Sequence, residues 1–270
     1  NTTIADIGET ELLNRLKKFM RNGQINDDTA EIKSFNKTLL INTDLLVENI
    51  HFSEVTTTPE DIGWKAIASN VSDLICSGSE KIISFTVGLV VPPNTTLQWV
   101  EGLYTGMKTA IKEFGGEIIG GDCSAGTNKM VSITAIGELS SLRLHRGHAL
   151  PGDYLVTSGK HGLSRLGLAL LTSEQLPTQV KLSQSLVTRA IKAHQRPSAP
   201  QKALKTLIEC KPKSLPWRAA GTDSSDGLLA AVEGICTSSK CQAVLSKASI
   251  PKDPDWPKNK AWNEWCLNGG

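Results

Sequence analysis

The sequence predicts a two-domain protein of the α/β (α+β) class, with mixed strand order in its first sheet. Strand-like and helix-like patterns alternate through the first half of the 270 residues. Hydrophobic residues make up 39% of the chain and charged residues 21%, which is typical of a folded protein with a sizeable core. A Pro151-Gly152 turn within Arg146–Tyr154 indicates a boundary, so we assign the domains to residues 1–148 and 149–270.

The first domain is predicted to contain two helices and five strands. Apolar residues recur at helical spacing over Glu60–Ser77, between Pro59 and Gly78, which predicts the first helix. A second helix is predicted over Thr95–Phe114, before a pair of glycines. Runs of β-branched and apolar residues predict the strands Thr29–Phe35, Thr38–Thr43, Lys81–Val91, Glu117–Ile119 and Met130–Leu139.

The second domain is predicted to be richer in helices. A short strand is expected over Tyr154–Thr157 and another over Gln242–Leu245. The segment Pro251–Trp265 is rich in Pro, Lys and Trp, and we interpret it as a loop packed by its tryptophans rather than a ligand-stacking surface. Helices are expected near Leu163–Leu171, Ser183–Ala193 and Ala199–Glu209, and from the stretch "GTDSSDGLL" (Gly221–Leu229) to about Cys236.

Composition narrows the classes of partner. The net charge is only +2 at pH 7, so no nucleic-acid partner is expected, and the basic-rich region Lys202–Lys213 is interpreted as a solvated helix face. No apolar run approaches the ~20 residues that a membrane-spanning helix needs, and the N-terminus lacks the apolar core of a secretory signal. The six cysteines form no CxxC pair, which favours free thiols in a reducing cytoplasm and disfavours zinc.

Aspartates recur at predicted element ends, each flanked by small residues. Singly, each would be interpreted as a turn or cap residue, and Ser225-Asp226 has the pattern of a helix start. If several converge, their mutual repulsion requires cations, and oxygen ligands without Cys or His are those that Mg²⁺ prefers. The set therefore indicates Mg²⁺-nucleotide chemistry; its members are Asp27, Asp28, Asp44, Asp73, Asp122, Asp223 and Asp226.

Two familiar phosphate-handling signatures are absent from the sequence. It contains neither GxxxxGK[ST] nor the HRD and DFG motifs, which excludes a P-loop enzyme and a protein kinase. The glycine-rich stretch "SGKHGLSRLGL" (Ser158–Leu168) is compatible with a strand-to-helix turn or with a phosphate-contacting loop at a helix start.

Seven motifs follow one another over nearly the whole chain. They are "IGETELLNRL", "NDDTA", "INTDLLVENIHF", "KAIASNVSDLICSGS", "IIGGDCSAG", "SGKHGLSRLGL" and "TDSSDGLL". Any one of them alone is weak evidence. Taken in order, they resemble the thiamine-monophosphate kinase family of the aminoimidazole ribonucleotide synthetase-like ATP-binding superfamily.

The resemblance implies a fold and a reaction. The N-terminal domain would bind ATP and several Mg²⁺ ions and pair its sheet across a homodimer, and the C-terminal domain would be α/β. The reaction would transfer the ATP γ-phosphoryl group in line to thiamine phosphate, giving thiamine diphosphate, without a general base. By motif match, Mg²⁺ ligands would be Asp28, Thr43, Asp44, Asp73, Asp122, Asp223 and Asp226, nucleotide contacts Gly121, Asp122, Arg146 and Ser225, and the substrate contact His51.

Three departures from the family pattern qualify this prediction. Asn26 replaces a glycine, which is a mild change because asparagine tolerates a left-handed backbone. Asn42 replaces a serine, which puts a ligand role for that side chain in doubt. The family continues with an acidic G-G-E-D motif where this sequence stops at Gly270, so we expect the second domain to be incomplete. The alternatives are a hydrogenase maturation factor or selenophosphate synthetase, or a non-catalytic nucleotide-binding relative.

Overall fold

The computed structural model describes residues 30–33, 36–210 and 218–268. The predicted ligand Asp28 and the N-terminal motifs before it lie outside the described residues. A five-stranded sheet with the strand order β1-β2-β5-β3-β4 forms the centre of the first unit. All neighbouring strands are antiparallel except β3 and β4. The strands are β1 Ala30–Lys33, β2 Thr38–Val47, β3 Ser79–Val91, β4 Ile118–Ala125 and β5 Met130–Leu139.

Two helices, α1 (Pro59–Cys76) and α2 (Leu97–Phe114), belong to the same core as the sheet. Thr58 caps α1 in a capping box with Asp61, and Thr96 caps α2. The helices approach closely because Gly63 presents no side chain: a Cβ there would lie 1.9 Å from the carbonyl oxygen of Leu103. Both helix predictions are confirmed to within two residues at each end.

The two faces of the sheet differ. Strand alternation directs Leu40, Phe85 and Ile133 to the helix-covered face, where they are fully or almost fully buried. Residues of the opposite face, such as Thr43 and Leu45, are exposed within the described residues. We call these the helix face and the open face of the sheet.

The part of the chain after residue 148 that the structure describes is helical, with a second apolar cluster around Leu166, Leu186, Trp256 and Trp262. None of the helices in the described ranges combines the length and apolarity required to cross a bilayer. The α-helices are α3 Leu163–Leu171, α4 Gln184–Gln195, α5 Gln201–Glu209, α6 Leu228–Ser239 and α7 Lys260–Trp265, with 3-10 turns at Arg146–His148 and Lys247–Ser249.

The Trp-rich segment is packed by its tryptophans as predicted, but it is not a loop throughout, because Lys260–Trp265 forms helix α7. Trp256 and Trp262 are buried against each other with ring centroids 5.4 Å apart, so they pack the chain and are not free to stack on a ligand. On α5, Lys202 and Lys205 are exposed, as expected of a solvated face; residues 211–213 of the basic region lie outside the described residues. Ala199 and Leu204 of this region belong to the first core rather than the second.

Several predictions of secondary structure were wrong. The segments 154–157 and 242–245 are not strands, and Tyr154 and Val244 are almost fully exposed. Their β-propensity has no effect because no neighbouring strand among the described residues pairs with them. Strand β2 continues to Val47, so Asp44 lies inside it rather than at its end. Strand β4 runs to Ala125, so Gly120-Gly121 is extended rather than a tight turn.

The helix after "GTDSSDGLL" also begins later than predicted. It starts at Leu228 with Gly227 as its N-cap residue, and no side chain caps it. Ser224 accepts a backbone hydrogen bond from Gly227 (2.9 Å), which closes a turn, and the positive φ of Gly227 (101°) favours glycine there. Neither Ser225 nor Asp226 therefore serves as a helix cap.

Candidate functional site

Three elements meet beside the sheet and bring carboxylates together. They are the centre of β2, the last turns of α1, and the segment 219–227 that leads into α6. An isolated bridge between Leu144 and Ala219 ties this segment to the chain that leaves the sheet. Gly221 packs so closely there that a Cβ would lie 2.4 Å from the carbonyl oxygen of Cys76. We call the region around Asp44, Asp73 and Asp223 the carboxylate seam.

Asp73 is held from the sheet by the buried amide of Asn42, which is itself bonded to the buried amide of Asn70. The Asn42 Nδ2 group donates to Asp73 Oδ2 (2.8 Å) and to Asn70 Oδ1 (3.2 Å), and Asn70 donates to the Ala66 carbonyl (2.9 Å). Asn42 is 5% exposed and Asn70 fully buried, so these bonds are protected from water. The departure at Asn42 thus has a structural role: its side chain orients Asp73.

Asp44 shares a strand face with Asn42. The two residues are separated by one position, and Leu40 and Leu46 of the same alternation are buried on the helix face. Asp44 therefore projects on the same side as the Asn42 amide, roughly 7 Å further along the strand.

Thr43 projects to the other side. Its Oγ1 lies 2.7 Å from Oγ1 of Thr134, its cross-strand partner on β5, on the open face. Two adjacent residues that the family motif treats as a pair thus present their side chains to opposite faces of the sheet.

We call the described part of the chain after residue 148 the second unit. Its segment 219–227 adds the remaining side chains of the region. Ser72 of α1 donates a long hydrogen bond to Asp223 Oδ2 (3.5 Å), and Arg146 Nε donates to Thr222 Oγ1 (3.0 Å). Ser225 and Asp226 follow in the exposed turn before α6. The structure therefore brings Asp73, Asp223 and Arg146 to one region, and Asp44 lies on the face of β2 that carries Asn42.

Asp122 is not part of this group. On β4 it pairs with Gly88 of β3, which pairs with Ser132 of β5, which pairs with Leu45 of β2. Asp122 thus shares the open face with Leu45, while Asp44 projects to the helix face. Three strand spacings of ~4.8 Å also place it roughly 14 Å across the sheet from β2.

Gly121, next to Asp122, has a packing reason to be glycine. A Cβ there would lie 2.0 Å from the carbonyl oxygen of Val87, because β4 approaches β3 closely. Every residue of β4 is nevertheless exposed within the described part of the chain, Ile119 to 59%. The strand is therefore an uncovered edge that carries two of the predicted site residues.

His51 lies in the turn after β2, with an exposed ring whose Nδ1 accepts a hydrogen bond from the Val47 amide (3.1 Å). Its carbonyl accepts a weak hydrogen bond from Lys65 Nζ (3.4 Å). Burial lowers the pKa of Lys65. Burial, with the nearby Lys65 charge, also lowers the pKa of His194 on α4 to about 4. Lys65 thus lies close both to the His51 carbonyl and to His194 of α4.

The donor chemistry of the seam fits a hard cation. Its ligating groups are carboxylate oxygens without thiolate or imidazole, which is the type of set that Mg²⁺ prefers. Among the described residues, no three His, Cys, Asp or Glu side chains converge tightly enough to hold a metal ion unaided. Mg²⁺ is commonly held by one or two carboxylates with water and substrate phosphate, so this finding is compatible with a site completed by nucleotide.

Sequence reasoning missed the residues that support the carboxylates. Asn42, Asn70, Ser72 and Thr222 each hydrogen-bond a predicted site residue or its partner. One signal was available for Asn70, which is a polar residue within the apolar stripe of a helix. Lys65 gives the same signal, because it is a charged residue among apolar residues of the same helix.

Comparison with known proteins decides the family. The family model for AIR synthase related protein, N-terminal domain, matches residues 26–139. Thiamine-monophosphate kinase of Prochlorococcus marinus is 58% identical over 98% of this chain and 80% of its own length. The chain belongs to the thiamine-monophosphate kinase family. It is accordingly an enzyme, a kinase, as predicted.

Other members of the thiamine-monophosphate kinase family agree. The enzyme of Synechococcus elongatus is 36% identical over 96% of this chain and 78% of its own length. The solved structure of AaThiL complexed with AMPPCP and TMP superimposes with a TM-score of 0.87 at 30% identity, covering 100% of this chain and 84% of that one. The predicted aminoimidazole ribonucleotide synthetase-like α/β fold is therefore confirmed.

Proposed function

We propose that this chain catalyses ATP- and Mg²⁺-dependent phosphorylation of thiamine phosphate to thiamine diphosphate by direct in-line transfer. The observation that carries the proposal is the carboxylate seam: Asn42 holds Asp73 from the sheet, and Ser72 links α1 to Asp223 of the second unit. The AaThiL structure that this chain resembles is a complex with AMPPCP and TMP, that is, with a nucleotide analogue and a second ligand.

The residues of the seam suit this reaction. The attacking group is a phosphate oxygen that is already anionic, so no general base is required. What the chain must supply is alignment of two anionic phosphates and stabilisation of their charge. Arg146, held by Thr222, offers a guanidinium to the nucleotide, and His51 with the neighbouring Lys65 offers donors to thiamine phosphate.

The metal ligands are assigned as follows. Asp44, Asp73, Asp223 and Asp226 would hold Mg²⁺, with Asp28 and Thr43 as further members of the predicted set. Because the Thr43 side chain contacts Thr134 on the open face, Thr43 would contribute through its backbone. When bound, Mg²⁺ would neutralise phosphate charge and orient the phosphoryl group. Ser225, exposed in the turn beside Asp226, would contact the nucleotide.

Asp122 and Gly121 require a second copy of the chain. They lie on the open face and edge of the sheet, away from the Asp44 of their own chain. In the proposed homodimer, in which the sheet pairs with its twin, they would approach the metal-phosphate site of the partner. Each site would then contain Asp44 and Asp73 from one subunit and Asp122 from the other. A cytoplasmic location stays a prediction.

Turnover assays test the function. The purified chain is incubated with ATP, Mg²⁺ and thiamine phosphate, and thiamine diphosphate is measured by chromatography. We expect turnover that Asp73→Asn lowers by about 10²-fold or more, because a carboxylate at the metal-phosphate site is lost. Asp255→Asn, far from the seam in the second unit, serves as the matched control. A chain that binds ATP without turnover would instead support the non-catalytic alternative, and turnover with another acceptor a different superfamily member.

Mixed dimers test the placement of Asp122. Asp44→Asn and Asp122→Asn are each expected to be inactive alone. A heterodimer of the two variants would contain one site with both native carboxylates and one site with neither. Because random reassortment makes half of all dimers heterodimers, the mixture should recover about one quarter of wild-type activity. Failure of a reassorted mixture to recover activity would show that both aspartates act within one chain.

A further inference from the structure

The C-terminal end of helix α6 brings two cysteines together. The helix ends with Lys240 in the left-handed conformation (φ 54°). The Cys241 amide donates to the Cys236 carbonyl (3.0 Å) and the Lys240 amide to the Thr237 carbonyl (3.4 Å). These two bonds define a Schellman motif, which folds the residue after the left-handed position back against the last full turn of the helix.

An apolar contact frequently joins the two side chains at these positions of the motif. Here the two residues are Cys236 and Cys241, so both side chains are thiols. Cys236 and Cys241 are each half-buried, so small reagents can reach them. A side-chain hydrogen bond joins them, and this bond adds to the effect of burial in raising the pKa of Cys236. The other cysteines lie on different elements; Cys123 and Cys210 are exposed and Cys266 is buried.

We propose that Cys236 and Cys241 form a reversible disulfide and are a redox-sensitive site. With oxidised glutathione as the oxidant, one cysteine thiolate attacks a glutathione sulfur and releases one reduced glutathione. The second cysteine then attacks the protein-bound sulfur of the mixed disulfide and releases the other. The protein dithiol loses two electrons and two protons, and the small-molecule disulfide gains both.

The dithiol lies beside a residue of the proposed nucleotide site. Ser239, between the two cysteines, donates through Oγ to the Arg146 carbonyl (2.6 Å) and accepts from the Ala149 amide (3.0 Å). Arg146 in turn donates to Thr222 of the segment 219–227. Closing the disulfide constrains the turn that contains Ser239, so oxidation is expected to shift the Arg146 segment. This consequence rests on the proposed function, whereas the disulfide does not.

Peptide mapping tests the disulfide. The chain is equilibrated with oxidised and reduced glutathione, its remaining thiols are alkylated, and it is digested with trypsin without reduction. Cleavage at Arg218, Lys240 and Lys247 gives peptides 219–240 and 241–247, each with one cysteine. We expect a linked species of these two peptides that separates on reduction. Cys210→Ser should retain it and Cys236→Ser should abolish it. Recovery of both peptides singly alkylated, from a sample in which exposed Cys123 carries glutathione, would overturn the proposal.

Steady-state kinetics test the coupling to Arg146. The oxidised chain is expected to show at least a threefold higher KM for ATP, restored by dithiothreitol and absent in Cys241→Ser. An unchanged KM in a sample that contains the linked peptide would retain the disulfide and refute the coupling. If the reduced chain turns over no ATP, the proposed function fails, and the peptide map still decides whether the dithiol is redox-active.

Discussion

The two units of this protein are stabilised by different kinds of interaction. In the first, apolar side chains such as Phe85, Ile62 and Met107 are fully buried between a continuous sheet and two closely packed helices. In the second, a small cluster around Trp256 and Trp262 is accompanied by a buried carboxylate, Asp253. The first unit therefore depends on extended apolar burial, and the second on a smaller cluster of leucines and tryptophans beside a buried charge.

This difference extends to the seam. The carboxylates of the first unit, Asp44 and Asp73, project from a strand and a helix, and the buried amide of Asn42 holds Asp73 in place. Those of the second unit, Asp223 and Asp226, lie in a segment without regular structure before α6. The carboxylates that we propose as metal ligands therefore come partly from regular elements and partly from a segment without regular structure.

The largest expected effect comes from disturbing the helix pair of the first unit. Gly63→Ala places a Cβ 1.9 Å from the Leu103 carbonyl oxygen, so α1 and α2 must separate. We expect a loss of about 3–5 kcal/mol in the free energy of unfolding, measured by urea denaturation. Gly234→Ala, in α6 with nothing within 4 Å of its new Cβ, is the matched control. It should stabilise the chain by up to ~1 kcal/mol. Equal effects of the two changes would contradict the close-packing argument.

Removing the buried carboxylate tests the second unit. Asp253, whose side chain is fully buried, accepts from Arg189 at both oxygens (2.7 and 2.9 Å) and lies 3.3 Å from Lys160. Asp253→Asn should cost about 2–4 kcal/mol, because Lys160 loses its carboxylate partner and Arg189 keeps only the exposed Asp255. The control is Glu264→Gln, which removes only an exposed pair with Lys260 and should cost less than ~0.5 kcal/mol. A cost for Asp253→Asn as small as that of the control would show that the tryptophan cluster alone holds this unit.

The smallest effect concerns the contact between the units and depends on pH. His194 is 6% exposed, and burial together with Lys65 lowers its pKa from 6.5 to about 4. Since the folded state disfavours the protonated ring, the stability is complete above pH 6.5 and falls by about 2–3 kcal/mol as the pH decreases to 4.

His194→Gln cannot take up this proton and should lose that part of the pH dependence, measured by urea unfolding at pH 7, 5.5 and 4. His148→Gln, at an exposed position, should retain the wild-type profile. A His194→Gln profile that matches the wild type would show that the carboxylates alone produce the loss of stability in acid.

Much of the fold follows from local patterns. The periodicity of Glu60–Ser77 predicted α1, and Leu163–Leu171 matches α3 at both ends. The predictions failed where strand pairing determines the secondary structure. Tyr154–Thr157 has the residues of a strand but no neighbouring strand in the described structure. In contrast, β4 continues through two glycines because β3 lies beside it. Propensity describes what a segment can form, whereas a strand also requires a partner.

The sequence by itself determined the family, most of the helices and the set of aspartates, because these depend on residue identity and short spacing; α7, in a segment predicted as a loop, is the exception. Only the tertiary structure decided how the set divides. Strand alternation separates Thr43 from Asp44, and the sheet order places Asp122 on the opposite face. The tertiary structure also showed that no side chain of "GTDSSDGLL" caps helix α6 and that Asn42 orients Asp73. These assignments depend on contacts between residues distant in sequence, which spacing along the chain does not encode.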